Sequence, residues 1–167
     1  MGRKSTKENK NVYHVSRENN HYSRENAAEK MKFISVDRIE NIENEKSLPQ
    51  PAEVLAMAEC YKNPALCNYY CSHDCPIGQK YVPEVQAKEL SQITLEMLAT
   101  LNSLSRMKDR LVEITVDGRI SEDEAPDFIE IKKQLADISL VFDTLTLWID
   151  TAIANGEMEK DLLESKG

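Results

Sequence analysis

The sequence predicts an all-α protein, and three observations support this fold class. Only five glycines occur in 167 residues. No stretch shows the sustained alternation of β-branched and polar residues that is typical of strands. Apolar residues instead recur three and four positions apart in several separate segments, which is the spacing of a buried helix face. A hydrophobic fraction of 41% with only 6% aromatics indicates a core of aliphatic side chains on packed helices.

Two short helices are predicted between residues 23 and 44, each with its own start signal. Ser23 and Ser35 can cap them, because a serine oxygen accepts a hydrogen bond from the unpaired N–H groups of a helix's first turn. Small residues on the first helix would let the second approach closely, as a helix-turn-helix requires. The inward positions are Ala27, Ala28 and Met31 in the first helix, and Val36, Ile39 and Ile42 in the second.

Three further helices complete the predicted N-terminal part. One precedes the pair at 11–20, with Val12 and Val15 facing inward. The next spans 51–61 and starts with a proline, which is tolerated in a first turn because its missing N–H would have had no helical partner. A short helix follows at 65–70.

These segments resemble the Cro/repressor-type (XRE) helix-turn-helix family. The matching pattern is Ser-x-Glu-x-Ala-Ala-x-x-apolar over 23–31, followed by Ile-Ser-x-x-x-Ile-x-x-Ile-Glu over 34–43. The resemblance covers roughly residues 11–70. It implies a five-helix domain in which the helix at 35–44 enters the major groove of DNA. The turn between the two helices is one residue longer than is usual in the family, and it has no glycine.

The resemblance implies DNA-contacting residues around this helix pair. Arg38 could form a bidentate contact to guanine, and Asn41 could pair with adenine. The start of the first helix and the flanking lysines would contact phosphates. The alternative for Arg38 is an ion pair with Glu25 or Glu29, and the alternative for Val36 is a place in the core. The predicted DNA-binding residues are Ser23, Arg24, Lys32, Ser35, Val36, Asp37, Arg38, Asn41 and Lys46.

The second half of the chain predicts a long antiparallel helical hairpin. Asp117-Gly118 is a turn signal, and Ser121 with Glu124 is a capping box for the second helix. Two amphipathic helices of ~30 residues joined by a short turn pack antiparallel. The predicted apolar stripes are Leu90, Ile93, Met97, Leu101, Leu104, Met107, Leu111 and Ile114, then Phe128, Ile131, Leu135, Ile138, Phe142, Leu145, Ile149 and Ala152.

One hairpin alone leaves its outer apolar flanks uncovered. We therefore expect a second copy of the chain to cover them, giving a homodimer through residues 84–155. The alternative is a monomer in which the hairpin packs on its own N-terminal domain. The predicted organisation is a flexible arm at 1–10, a helix-turn-helix domain at 11–82, a dimerisation hairpin at 83–155 and a tail at 156–167.

The charge is unevenly divided between the two halves. Residues 1–83 hold 12 Lys and Arg against 11 Asp and Glu, whereas residues 84–167 hold 9 against 18. This asymmetry fits a nearly neutral DNA-reading part joined to an acidic part with another role. It also predicts modest non-specific affinity for DNA, because few phosphates would be neutralised.

All four cysteines fall within sixteen residues, with His73 among them. Four thiolates could hold zinc or an iron–sulfur cluster. The alternative is a set of reduced thiols that serve as small, buried or partly exposed side chains, because disulfides are rare in a reducing cytoplasm. The candidate metal ligands are Cys60, Cys67, Cys71 and Cys75.

These observations predict a sequence-specific transcriptional regulator that binds double-stranded DNA as a dimeric repressor. One alternative is a protein-interaction adaptor that keeps the fold without binding DNA, which the acidic residues of the reading helix favour. A second is a cysteine-based metal- or redox-sensing regulator. No Ser/His/Asp set or phosphate-cradling glycine loop suggests an enzyme. The polar N-terminus and the lack of a ~20-residue apolar run predict a cytoplasmic protein without a membrane segment.

Overall fold

The computed structural model describes residues 10–116 and 118–159, and every regular element in these ranges is a helix. The all-α prediction is confirmed. Residues 1–9 of the predicted arm, Asp117 of the predicted turn and residues 160–167 of the predicted tail lie outside the described residues. The helices are α1 (Val12–Asn19), α2 (Arg24–Met31), α3 (Val36–Glu43), α4 (Pro51–Cys60), α5 (Ala65–Tyr69), α6 (Gly78–Tyr81), α7 (Leu90–Thr115) and α8 (Ala125–Asn155), with a π-helical turn at Tyr70–Asp74 between α5 and α6.

The described residues form two compact units. The first contains residues 10–84 together with 149–159, and the second contains the described residues of 85–148. The long helix α8 therefore belongs to the second unit over most of its length and to the first unit at its C-terminal end.

The core of the first unit collects the apolar faces of α1 to α5. Ala27 and Met31 on α2 are buried, as are Ile39 and Ile42 on α3. The small side chain at Ala27 lets α3 approach α2 closely, which is how the local sequence produces a packed helix pair. The core residues are Tyr13, Ala27, Met31, Ile34, Ile39, Ile42, Val54, Met57, Ala58, Tyr61 and Leu66.

Helix α1 packs Val12 against this core, as the sequence predicts, but turns Val15 away from it. Val15 is 40% exposed, while Tyr13 and His14 are buried. Both buried rings have polar partners: the Tyr13 hydroxyl donates to Asp74 Oδ2 at 2.7 Å, and His14 Nε2 lies 3.1 Å from Glu18 Oε1. These hydrogen bonds offset part of the cost of burying the two polar rings, while Val15 faces solvent.

Three helices of the first unit end on a left-handed residue that is not glycine. His21, Glu45 and Lys62 have φ angles of 56°, 59° and 50°, and they follow α1, α3 and α4. After α4, the N–H of Lys62 donates to Glu59 O and the N–H of Asn63 to Ala58 O, which is the Schellman pattern. The hydrogen bonds hold these residues in a conformation that glycine would adopt without strain.

The segment after α5 differs from the prediction, which did not include α6. The chain passes through the π-helical turn, in which the N–H of Cys75 donates to Tyr70 O at 2.9 Å. Gly78 then lies directly against this turn, since a Cβ at Gly78 would come within 2.0 Å of Cys71 O. Glycine is required here because the two backbones approach too closely for any side chain.

The second unit is built from α7 and α8. Arg110 near the end of α7 donates through Nε to Oδ2 of Asp127 near the start of α8 at 2.6 Å. Ile93 and Ile114 are fully buried at opposite ends of α7. The ion pair brings the C-terminal end of α7 beside the N-terminal end of α8, which is the arrangement that an antiparallel hairpin requires. In the turn before α8, Glu124 Oε2 accepts from the Ser121 N–H at 3.0 Å, so this part of the predicted capping box is present, although the helix begins only at Ala125.

The predicted apolar stripes of this unit are only partly buried. Ile131 is 1% exposed, but Leu101, Leu135 and Phe142 are 42%, 46% and 48% exposed. Heptad spacing identifies the apolar half of each helix, whereas one neighbouring helix covers only the centre of that half.

Candidate nucleic-acid interface

The helix pair α2–α3 begins each of its helices as the sequence predicts. The Ser23 side chain accepts from the N–H of Asn26 at 3.1 Å, and the Ser35 side chain accepts from the N–H of Arg38 at 3.2 Å. Each serine thus satisfies a donor that the helix itself leaves unpaired. Both hydroxyl oxygens accept these capping hydrogen bonds, so the structural role of Ser23 and Ser35 is to start α2 and α3.

The turn between α2 and α3 is tight and has an unusual backbone. Lys32 has φ 65° and ψ −40°, and the N–H of Phe33 donates to Met31 O at 2.8 Å. This is a γ-turn with positive φ, a conformation that is strained for a residue with a side chain. The turn leaves Lys32 and Phe33 exposed, while Ile34 returns to the core.

A buried ion pair joins α1 to the end of α3. Arg17 Nε donates to Glu43 Oε1 at 2.5 Å and Arg17 Nη2 donates to Glu43 Oε2 at 2.9 Å. Arg24, at the start of α2, donates through Nε to Glu43 Oε2 at 2.8 Å. A single carboxylate therefore connects α1, α2 and α3. The sequence analysis includes Glu43 only as the last position of the family pattern and assigns it no role, because its partners Arg17 and Arg24 are distant in the sequence.

Two features of the surroundings of Glu43 shift its pKa in opposite directions. Burial by itself raises the pKa of this carboxyl, while the hydrogen bonds from Arg17 and Arg24 lower it, and the net result is a lowered pKa. Glu43 is therefore a carboxylate in the folded protein at neutral pH, and its charge is compensated by two guanidinium groups.

Arg38 is held within the chain. Its Nε and Nη2 donate to the two carboxylate oxygens of Glu53 at 2.7 Å each. Its Nη1 donates to Ser47 Oγ at 2.6 Å, and Nη2 also donates to Leu48 O at 2.9 Å. Four of the five guanidinium N–H groups are thus used. The ion pair proposed as the alternative to a guanine contact is present, but its partner is Glu53, not Glu25 or Glu29.

The other predicted DNA-binding residues differ in accessibility. Ser35 and Asp37 are exposed at the start of α3, and Lys32 and Lys46 are exposed on either side of it. Arg24 is bound to Glu43 and also lies 3.7 Å from Glu40. The half-buried members of the set are Ser23, Arg24, Val36, Arg38 and Asn41.

A cavity of about 470 Å³ lies beside the C-terminal end of α3. Its polar lining includes Lys46, Glu45 and Asp74, and its aromatic lining includes Tyr13 and Tyr69. The two tyrosine rings meet edge to face with centroids 6.1 Å apart. Lys46 thus borders this cavity as well as the predicted DNA-contacting surface.

The predicted metal site is not formed among the described residues. No three His, Cys, Asp or Glu side chains converge there in a way that could hold a metal ion. The four cysteines lie on different elements, from the end of α4 to the end of the π-helical turn, and all are free and half-buried. Burial raises the pKa of the Cys60 and Cys67 thiols, which favours the protonated thiol over the thiolate. The alternative of reduced, partly buried thiols at Cys60, Cys67, Cys71 and Cys75 fits these observations.

No family model, curated protein or solved structure matches this chain. None of the described helices combines the length and apolar character needed to cross a membrane.

Proposed function

We propose that this chain is a sequence-specific DNA-binding regulator that reads the major groove with the N-terminal half of α3. The observation that carries the proposal is the buried Glu43 carboxylate, which ties α3 to α1 through Arg17 and to α2 through Arg24. Base reading requires a helix whose orientation is fixed by its supporting residues. The fixed end of α3 is buried, whereas its first turn is open to solvent.

In this proposal the residues around α3 have three roles. Ser35 and Asp37 in the exposed first turn and Asn41 one turn later face base edges. Lys32 and Lys46 contact phosphates on either side of the groove. Arg38 is a positioning residue, because its hydrogen bonds to Glu53, Ser47 and Leu48 hold α3 against the start of α4. Two copies, joined through residues 84–155, occupy a near-palindromic operator as a repressor.

The decisive experiment is selection of bound sequences from a random pool of double-stranded DNA, followed by affinity measurements over a range of salt concentrations. A specific reader should enrich one motif and lose affinity steeply as salt rises. Lys32→Glu should weaken binding to all sequences and reduce the salt slope by about 1. Lys133→Glu makes the same charge change on an exposed face of α8 and should have little effect.

Two further variants at Lys32 separate its side chain from its backbone. Lys32→Ala and Lys32→Gly both remove the ammonium group, but only glycine relieves the positive φ. Equal losses of affinity, with a raised Tm in Lys32→Gly alone, would support a phosphate contact. If Lys32→Ala binds DNA as tightly as the unchanged protein, Lys32 has no such contact.

A protein-interaction adaptor that does not bind DNA is the second candidate function. The observation that favours it is the charge of the open face of α3: Asp37 and Glu40 are acidic, while Arg24 and Arg38 are engaged with carboxylates. Such a surface repels phosphates and suits a basic protein partner. Failure to enrich any DNA motif at a salt concentration of about 50 mM, where phosphate contacts are strongest, would favour the adaptor.

A further inference from the structure

One side of the α7–α8 hairpin carries large apolar residues that the chain leaves uncovered. On α7, Leu98 and Leu101 are 55% and 42% exposed; on α8, Leu135 and Phe142 are 46% and 48% exposed. We call these four residues the hairpin patch. All four lie within the second unit.

Helix geometry sets the four residues on the same side of the hairpin. At 100° per residue, Leu101 and Leu98 lie about 80° and 140° around α7 from the buried Ile93. Phe142 and Leu135 lie about 20° and 40° around α8 from the buried Ile131, in the same rotational sense. In an antiparallel hairpin, which the Arg110–Asp127 ion pair supports, the same rotational sense on each helix leads to the same side of the pair.

The four residues also lie at matching heights along the hairpin. The Arg110–Asp127 ion pair shows that these two residues lie at the same height along the hairpin, and heights of other residues can be counted from them. Leu135 is eight residues beyond Asp127, and Leu101 is nine residues before Arg110. By the same counting, the heights of Phe142 and Leu98 along the hairpin axis differ by less than about one helical turn. The hairpin patch is therefore one continuous apolar area.

The charges at the edge of the hairpin patch are self-complementary. Lys132 and Asp143 are both exposed on α8, about 20° apart around the helix, next to Leu135 and Phe142. They are eleven residues apart, or ~16 Å, and their midpoint lies level with the segment of α7 between Leu98 and Leu101. A two-fold axis through that midpoint would bring Lys132 of each copy opposite Asp143 of the other.

We infer that the hairpin patch binds a second copy of this chain in an isologous, antiparallel pairing, with two Lys132–Asp143 ion pairs at its edges. In a two-fold interface the same surface must be complementary to itself, and this surface has an apolar centre with opposite charges equally spaced around it. A polar rim around an apolar centre is typical of protein interfaces. The inference names the dimer surface on which the proposed function relies, but it holds or fails without DNA.

Sedimentation equilibrium of the full chain without DNA tests this surface. The unchanged protein should be a dimer at micromolar concentration, and Phe142→Glu should be a monomer. Ile129→Glu is the matched control, because Ile129 is 66% exposed on the same helix but lies about 140° around it from Phe142. Circular dichroism melts of each variant would show that the variants remain folded.

Charge exchange tests the orientation of the pair. Lys132→Asp and Asp143→Lys should each weaken the dimer by about five- to tenfold, because each places like charges opposite one another twice per dimer. The double variant K132D/D143K should restore the original dissociation constant. Lys133→Asp, on the neighbouring exposed position, should leave it unchanged.

A monomeric unchanged protein, or a dimer that survives both Phe142→Glu and the single charge reversals, would overturn the inference. If the single reversals weaken the dimer and the double variant does not restore it, the antiparallel pairing is wrong. DNA selection with the unchanged protein tests the proposed function separately, since a monomer can still recognise one half-site. Failure of one proposal can thus be distinguished from failure of the other.

Discussion

Arg17 and Glu43 form a bidentate ion pair in the interior of the first unit, with both side chains almost completely buried. The two residues are 26 positions apart, and their pairing fixes α3 relative to α1. Two charges removed from water are stable only when their hydrogen bonds are complete. Here Arg24 supplies a further donor to the carboxylate, and the carbonyl of Tyr22 accepts from Arg17 Nη1 at 2.6 Å.

Glu43→Gln should destabilise the protein by about 3 kcal/mol, because it leaves the buried Arg17 guanidinium without its counter-charge. Urea unfolding followed by circular dichroism measures the change. Glu40→Gln, on the same helix but half-exposed, should change the free energy of unfolding by less than about 0.5 kcal/mol. The double variant R17M/E43L should be more stable than either single variant, since it removes both charges. A cost below about 1 kcal/mol for Glu43→Gln would contradict a structural role.

Acid should weaken the folded state through Glu18. The hydrogen bond from Lys10 is the main cause that lowers the pKa of Glu18 from 4.5 to about 2, with a further hydrogen bond from His14. A carboxyl whose pKa is lower in the folded than in the unfolded state adds stability above the unfolded pKa, and this contribution is lost as pH falls. Glu18 should therefore contribute fully above pH 4.5 and lose its contribution between pH 4.5 and about 2.

Denaturant unfolding at several pH values would measure this loss. Glu18→Gln should show a smaller fall in the free energy of unfolding over that pH interval than the unchanged protein. Glu29→Gln, an exposed carboxylate on α2, should follow the unchanged protein. Identical pH profiles for Glu18→Gln and the unchanged protein would contradict the assignment.

Arg38 and Glu53 should behave as one unit. Arg38→Ala and Glu53→Gln should each cost about 1–2 kcal/mol, because each breaks the two-point connection between α3 and α4. The double variant should cost clearly less than the sum of the two, which a double-mutant cycle would measure as coupling. Arg38→Lys should recover little, since an ammonium group cannot bind both carboxylate oxygens in the plane of a guanidinium. Additive costs would show that the two side chains stabilise the fold independently of one another.

Lys62→Gly should stabilise the protein by about 1 kcal/mol, because Lys62 holds a left-handed conformation after α4 that glycine adopts freely. The expected rise in Tm is about 2–4 °C. Lys62→Ala removes the same side chain and keeps the strain, so its Tm should stay close to that of the unchanged protein. Equal Tm values for the glycine and alanine variants would show that the backbone at this position is not strained.

The sequence by itself determined the all-α class, most of the helices and where several of them start. Ser23, Ser35 and the proline at the start of α4 act on their own first turns, so their effect can be read from neighbouring residues. The buried apolar positions of α2 and α3 also follow from local spacing, as Ala27 and Ile39 illustrate, whereas the burial of Glu43 does not. Gly78 is required by the close approach of its backbone to the π-helical turn, and its neighbours in the sequence do not reveal this contact.

Only the tertiary structure decided which charges meet and which apolar residues remain uncovered. Glu53 is fifteen residues from Arg38, and Glu43 is 26 from Arg17, so no local pattern pairs them. The clustering of cysteines along the chain likewise did not bring them together as ligands. Leu135 belongs to the same heptad stripe as the buried Ile131, yet it is exposed. Spacing along a helix defines a face, but the position of the neighbouring helices decides how much of that face is covered.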